Sequence, residues 1–224
     1  PKNPVIGDRS FGENAEVVSK LGIQTMKGIQ AGGVIPVVKH FPGHGDTSVD
    51  SHVGLPNVDN DMDRLESLEL VPFREAIRSG ADAVMVAHIL INRLDPENPA
   101  SLSKTIIMDL LKGKLNFNGI VISDDMTMGA IAENYNIGDA VVKSVNAGSD
   151  IVLVCHGYEN EVAAMDALKQ AAEAGIISQE RIDESVYRIL KLKYKYNLED
   201  IEIDSVNIGE LNNEIDRILS NYMK

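Results

Sequence analysis

The chain has 224 residues, with 34 Asp and Glu against 21 Lys and Arg and a formal net charge of −13. That balance argues against nucleic acid and anionic membrane surfaces as partners, because both repel an acidic surface. No apolar stretch reaches the ~18 residues of a membrane span, no signal peptide is visible at the start, and the one cysteine, Cys155, has no partner for an internal disulfide,.

In chain order, residues 13–31 carry helical periodicity, and the apolar run 34–38 follows as a buried strand. The loop 39–56, KHFPGHGDTSVDSHVGLP, packs a lysine, three histidines and two aspartates among glycines and two prolines. In it Asp50 and His52 stand two apart, so an extended backbone projects both to one side. A carboxylate beside an imidazole fixes its tautomer and raises its pKa, which makes a proton-transfer group. Residues 62–79 read as two helices, because Pro72 starts a helix more readily than it sits inside one. A strand is expected at 83–87. His88 ends it as a candidate site residue, with a satisfied core histidine as the equal alternative.

A helix at 103–112, capped by Ser103, precedes a strand at 119–122 that runs into Ser123-Asp124-Asp125. Asp125 is expected to point away from Asp124 and bond backbone or loop. Met126 and Met128 are read as pocket lining or as core packing. Two helices divide residues 127–147 around a break at 136–138. The strand at 150–154 leads to Cys155, expected as a buried, inert thiol, and to His156 at the rim, where no role is expected. Helices at 158–174 and 179–196 follow, the second capped by Ser178 and striped by Ile182, Val186, Ile189 and Leu190. An acidic linker and an amphipathic helix bearing Leu211, Ile215, Ile218, Leu219 and Tyr222 close the chain.

Alternation of helices with non-alternating Val/Ile runs defines an α/β class with a parallel sheet. Two tetrapeptides, Ser79-Gly80-Ala81-Asp82 and Ala147-Gly148-Ser149-Asp150, repeat as glycine-closed helix ends turning into strands,. Polar clusters stand at successive strand ends, and neither a GxGxxG nor a GxxxxGK loop occurs. Both facts favour a (β/α)8 TIM-type barrel over a doubly wound sheet. Four strands do not close a barrel. The expectation is therefore the C-terminal portion of one over residues 1–198, its other strands preceding Pro1, with linker and terminal helix over 199–224.

Three motifs, NPVIGDRSFG, KHFPGHGDTSVDSHVGLP and GIVISDDMTMGAI, occur in that order. Together they resemble glycoside hydrolase family 3, in its β-N-acetylglucosaminidase (β-hexosaminidase) branch, which the Asp-Ser-His element marks. The resemblance spans Pro1 to about Leu198. It implies a retaining hydrolase of N-acetylglucosamine-containing carbohydrate, a chitin-like oligosaccharide or muropeptide, that needs no cofactor. By resemblance Asp124 is the nucleophile, His52 the general acid/base and Asp50 its dyad partner. Lys39 and His40 match a pair that holds sugar hydroxyls, and Arg9 matches a substrate-binding arginine. The family's first barrel strands, which supply further sugar contacts, have no counterpart here.

Three rival readings remain open on the residues alone. His40, His44, Asp46, Asp50 and His52 can gather a divalent metal, although their spacing matches no common motif. The chain can be a sugar-binding module without catalysis. The acceptor can be phosphate rather than water. Oligomeric state and compartment are not readable.

Overall fold

The computed structural model describes residues 3, 6–47, 54–199 and 205–222. Among them, four strands form one parallel sheet in the order β1 (Val37–Phe41), β3 (Ala83–Val86), β5 (Ile120–Asp125), β6 (Ile151–Leu153). A second, two-stranded parallel sheet, β2 (Asn57–Val58) with β4 (Leu90–Ile91), was not expected from the sequence. The helices are α1 (Ala15–Ala31), α2 (Met62–Ser67), α3 (Leu70–Arg78), a π-helix (Thr105–Lys114), α4 (Gly129–Ala132), α5 (Ile137–Ala147), α6 (Tyr158–Glu173), α7 (Gln179–Lys195) and α8 (Ile208–Tyr222). Strand and helix alternate along the chain, and the sheet is a partial barrel of parallel strands.

Two expected strands move. The first begins at Val37, not Val34, and runs through Phe41. Pro36 has no N–H to give a ladder, so pairing starts after it; Val34 is left 60% exposed. The third runs to Asp125, so Ser123, Asp124 and Asp125 are strand residues. The expected helix pair at 62–79 breaks at Leu68, and Pro72 lies in the first turn of α3, where its missing N–H costs nothing,. Ser103 accepts a hydrogen bond from the Ile106 amide at 3.2 Å and so caps the next helix, which is wound as a π-helix.

The sheet has two unlike faces. Met85, Ile122 and Ile151 pair across adjacent strands, and all three are half-exposed on the concave side. On the other face Val84, Val86 and Val121 are fully buried. They pack with Leu65, Leu70, Phe73, Ile107 and Leu111 of the covering helices. Phe41 joins them edge-to-face with Phe73, ring centres 5.2 Å apart,. A second cluster of Leu102, Met126, Ile131, Val141 and Ala164 lies under the ends of β5 and β6.

The two repeated tetrapeptides prepare one joint. Gly80 (φ +90°) and Gly148 (φ +117°) turn the chain out of α3 and α5. At Gly148 a Cβ would stand 2.7 Å from Met108 Sδ, so only glycine fits,. Asp82 and Asp150 follow, and both side chains meet α7. Arg181, Ser185 and Arg188, one face of that helix, bond Asp150 at 2.8, 2.9 and 3.1 Å. Lys195 bonds Asp82 at 2.5 Å, with Tyr196 and Gln30 as further donors. Lys112 also approaches Asp150, at 3.5 Å; burial draws its ammonium down to about 8 against the pull of that carboxylate. α7 thus docks with its polar face, and Val186 and Leu190 of the expected apolar stripe are exposed. Among the described residues no helix is long and apolar enough to cross a membrane.

Candidate active site

Residues 123–125 end β5, and successive residues of a strand project to opposite faces. Asp124 therefore shares the concave face with Ile122, while Asp125 turns to the other side. One Asp124 oxygen, Oδ1, accepts the Asp125 amide at 3.0 Å. The other, Oδ2, lies 3.9 Å from His40 Nε2, which reaches over from the end of β1. That gap is too long for a hydrogen bond. Burial, opposed by Asp124 and reinforced by the charges of Lys39 and Arg9 and by His44, lowers the His40 pKa to about 4. At neutral pH the pair is a carboxylate facing a neutral imidazole, not an ion pair.

Lys39 and Arg9 are exposed, and both weigh on His40 electrostatically. The loop after β1 is held from behind. His44 is buried, its Nδ1 2.7 Å from Thr47 Oγ1 and its carbonyl accepting from Asn3 Nδ2 at 2.6 Å. Arg64 bonds Glu69 at 3.1 Å and reaches Asp46 at 3.7 Å. His44 and Asp46 shape the loop, as expected. Asp50 and His52, the expected dyad, lie outside the described residues.

Of the two readings left open for His88, the packing favours the core histidine: it is 0% exposed and bonded inside the protein. Its Nε2 is 2.9 Å from the Asp125 carbonyl and its Nδ1 2.6 Å from Ser101 Oγ. A carbonyl only accepts, so Nε2 carries the hydrogen and the Ser101 hydroxyl donates to Nδ1. Burial also pushes its pKa down. A neutral His88 fastens the end of β5 and presents nothing to a ligand.

Asp125 bonds loop and backbone, as read from the sequence. It accepts from the Thr127 amide (3.0 Å), the Thr127 hydroxyl (2.6 Å) and the Cys155 amide (2.9 Å), and its Oδ2 lies 3.0 Å from His156 Nδ1. Burial alone would raise its pKa, but these donors hold the carboxyl below its usual value,. Cys155, expected buried, is exposed, because the strand ends at Leu153. Desolvation and the Asp125 charge push its thiol up, so it is no activated nucleophile,. Met126 is fully buried core, whereas Met128 borders an open cleft of ≈ 260 Å³ with Asp124, Asp125, Thr127, Gly129 and His156. Sequence reasoning gave His156 no role; its place at a strand end, like that of Lys39-His40 and Asp124, was the available signal. Among the described residues no group of three His, Cys, Asp or Glu could hold a metal.

Fold and cleft define a parallel α/β barrel-type protein whose strand ends carry a carboxylate, neutral imidazoles and cations. The model of the family described as "Glycosyl hydrolase family 3 N terminal domain" matches residues 1–192, and the chain belongs to that family. It is 39% identical over 213 residues to beta-hexosaminidase A of Pseudoalteromonas piscicida, covering 87% of this chain and 36% of that protein. It is also 39% identical over 166 residues to the beta-hexosaminidase of Tolumonas auensis, covering 74% and 49%. The solved glycoside hydrolase family 3 beta-N-acetylglucosaminidase of Paenibacillus sp. str. FPU-7 superposes with a TM-score of 0.90 at 48% identity. That match covers 93% of this chain and 40% of that one. The chain thus spans half or less of the length of these relatives.

Proposed function

We propose that this chain carries the reacting carboxylate of a retaining β-N-acetylhexosaminidase, which releases terminal β-linked N-acetylglucosamine from oligosaccharides. The observation that carries the reading is Asp124. It is a carboxylate on the concave face at the open end of a barrel strand. One oxygen is tethered by a backbone amide and the other faces a neutral imidazole. Such an oxygen is held in place without a tight ion pair, which suits attack on an anomeric carbon. Lys39, His40 and Arg9 then grip sugar hydroxyls. His52, oriented by Asp50, gives a proton to the leaving oxygen and takes one from the incoming water. The names and identities of the relatives support N-acetylglucosamine as the sugar.

The test uses the 224-residue chain with 4-nitrophenyl N-acetyl-β-glucosaminide, with and without phosphate. We expect 4-nitrophenol release, at a rate independent of phosphate. Asp124→Asn should lower kcat by about a thousandfold or more. Mass spectrometry of acid-quenched turnover should find the added sugar on the peptide holding Asp124. A sugar adduct elsewhere, or full activity in Asp124→Asn, removes Asp124 from the nucleophile role.

A further inference from the structure

The cleft beside Asp124 has a second wall that the chemistry above leaves unused. His156 follows the end of β6, and its side chain is 81% exposed, yet the ring is anchored. Nδ1 lies 3.0 Å from Asp125 Oδ2 and 3.1 Å from Thr127 Oγ1. The Asp125 carboxylate only accepts, so Nδ1 carries the hydrogen and Nε2 is left facing outward. The backbone is pinned too, since Asn160 Nδ2 donates to the His156 carbonyl at 3.0 Å.

The anchor is rigid. Asp125 is 8% exposed, its side chain accepts from Thr127 and Cys155, and its carbonyl is held by the buried His88. Its amide holds the Asp124 carboxylate. One residue therefore sets the position of both Asp124 and the His156 ring on the same cleft. Fixing an exposed ring costs rotamer freedom, which a merely solvated histidine has no reason to lose. Met128, 8% exposed, gives the cleft an apolar surface between them.

We propose that His156 is a substrate-contacting residue: a hydroxyl of the sugar bound against Asp124 hydrogen-bonds its Nε2. This rests on the reading of Asp124 as the reacting carboxylate and adds a contact from the far side of the barrel sheet, away from the loop of Asp50 and His52.

The test uses the whole chain and N-acetylglucosamine, a probe that needs no turnover. Histidine ring resonances are followed by NMR, with the His156 signal identified by its loss in His156→Gln. We expect that signal to shift saturably with the sugar. Affinity should weaken about tenfold in His156→Ala, the size of one hydrogen bond lost to a ligand. Thr127→Val, which removes one tether of the ring, should weaken it less. KM for the aryl glycoside should rise in step, with kcat within about threefold. Sugar binding seen at other residues, with the His156 ring unmoved and His156→Ala binding unchanged, overturns the contact and leaves Asp124 its role. A saturable ring shift together with undiminished hydrolysis by Asp124→Asn keeps the contact and overturns the nucleophile. A chain that binds no sugar at all sinks both.

Discussion

At the scale of single residues, the site is governed by which groups are denied charge. At the strand ends His88 is buried and His40 is partly so, and burial lowers both pKa values. In the unfolded chain each would take a proton near the reference value of about 6.5. The folded state refuses it until pH nears 4 at His40. The unfolded chain thus binds more protons between these values, and stability is lost as pH falls through that window. The lowered carboxyls of Asp82, Asp125 and Asp150 act below it, since their ordinary value is 3.8. Urea unfolding at pH 7 and pH 4.5 separates the two. From the shift at His40 we expect that residue alone to account for about 2 kcal/mol of the drop between these pH values. His40→Gln should flatten the profile by that amount and keep the slope due to His88. An unchanged profile would mean that His40 is protonated in the folded protein. Neither effect was legible in the sequence. A histidine at a strand end reads equally as ligand contact or as core, and only the enclosing Ser101 and Asp125 carbonyl decide for His88.

At the scale of elements, the positions that local chemistry dictates were readable and the partners were not. Apolar runs marked the four strands of the main sheet, and Ser103, Ser178 and Pro72 marked helix starts. Pro36 carried the signal that shifts β1, through its missing N–H. The two-residue strands β2 and β4 are too short for a period. The repeated Gly-x-Asp turns were visible, but nothing local says that both aspartates await one helix 30 or more residues downstream. Their surroundings differ. Asp150 has a fully buried carboxylate with three cations around it, whereas Lys195, the cation on Asp82, is 56% exposed. Removing the charge of Asp150 leaves Lys112, Arg181 and Arg188 crowded without a counter-ion. Asp150→Asn should therefore cost about 3–5 kcal/mol in chemical denaturation. At Asp82 water screens the lysine, and Asn can still accept from Tyr196, so Asp82→Asn should cost about 1–2 kcal/mol. Equal losses would show that α7 is not held chiefly by its first half.

For the whole molecule, these ties bear on where the folded unit ends. Tyr196 donates to Asp82, and the Leu198 amide closes α7 on the Lys193 carbonyl at 3.0 Å. Every residue of α8 is exposed, including Leu211, Ile215, Ile218 and Leu219. Its amphipathic stripe was legible from spacing, but a stripe does not say whether anything covers it. We propose a boundary near residue 198: Tyr196 still ties back to Asp82, whereas every described residue of α8 is exposed. A chain truncated after Leu198 should then have the urea midpoint and slope of the full chain, because the slope follows the surface exposed on unfolding. Truncation after Arg188 removes Lys195 and Tyr196 from Asp82 and should lower the midpoint. If the cut after Leu198 already costs more than about 1 kcal/mol, α8 belongs to the folded barrel unit and the boundary is misplaced.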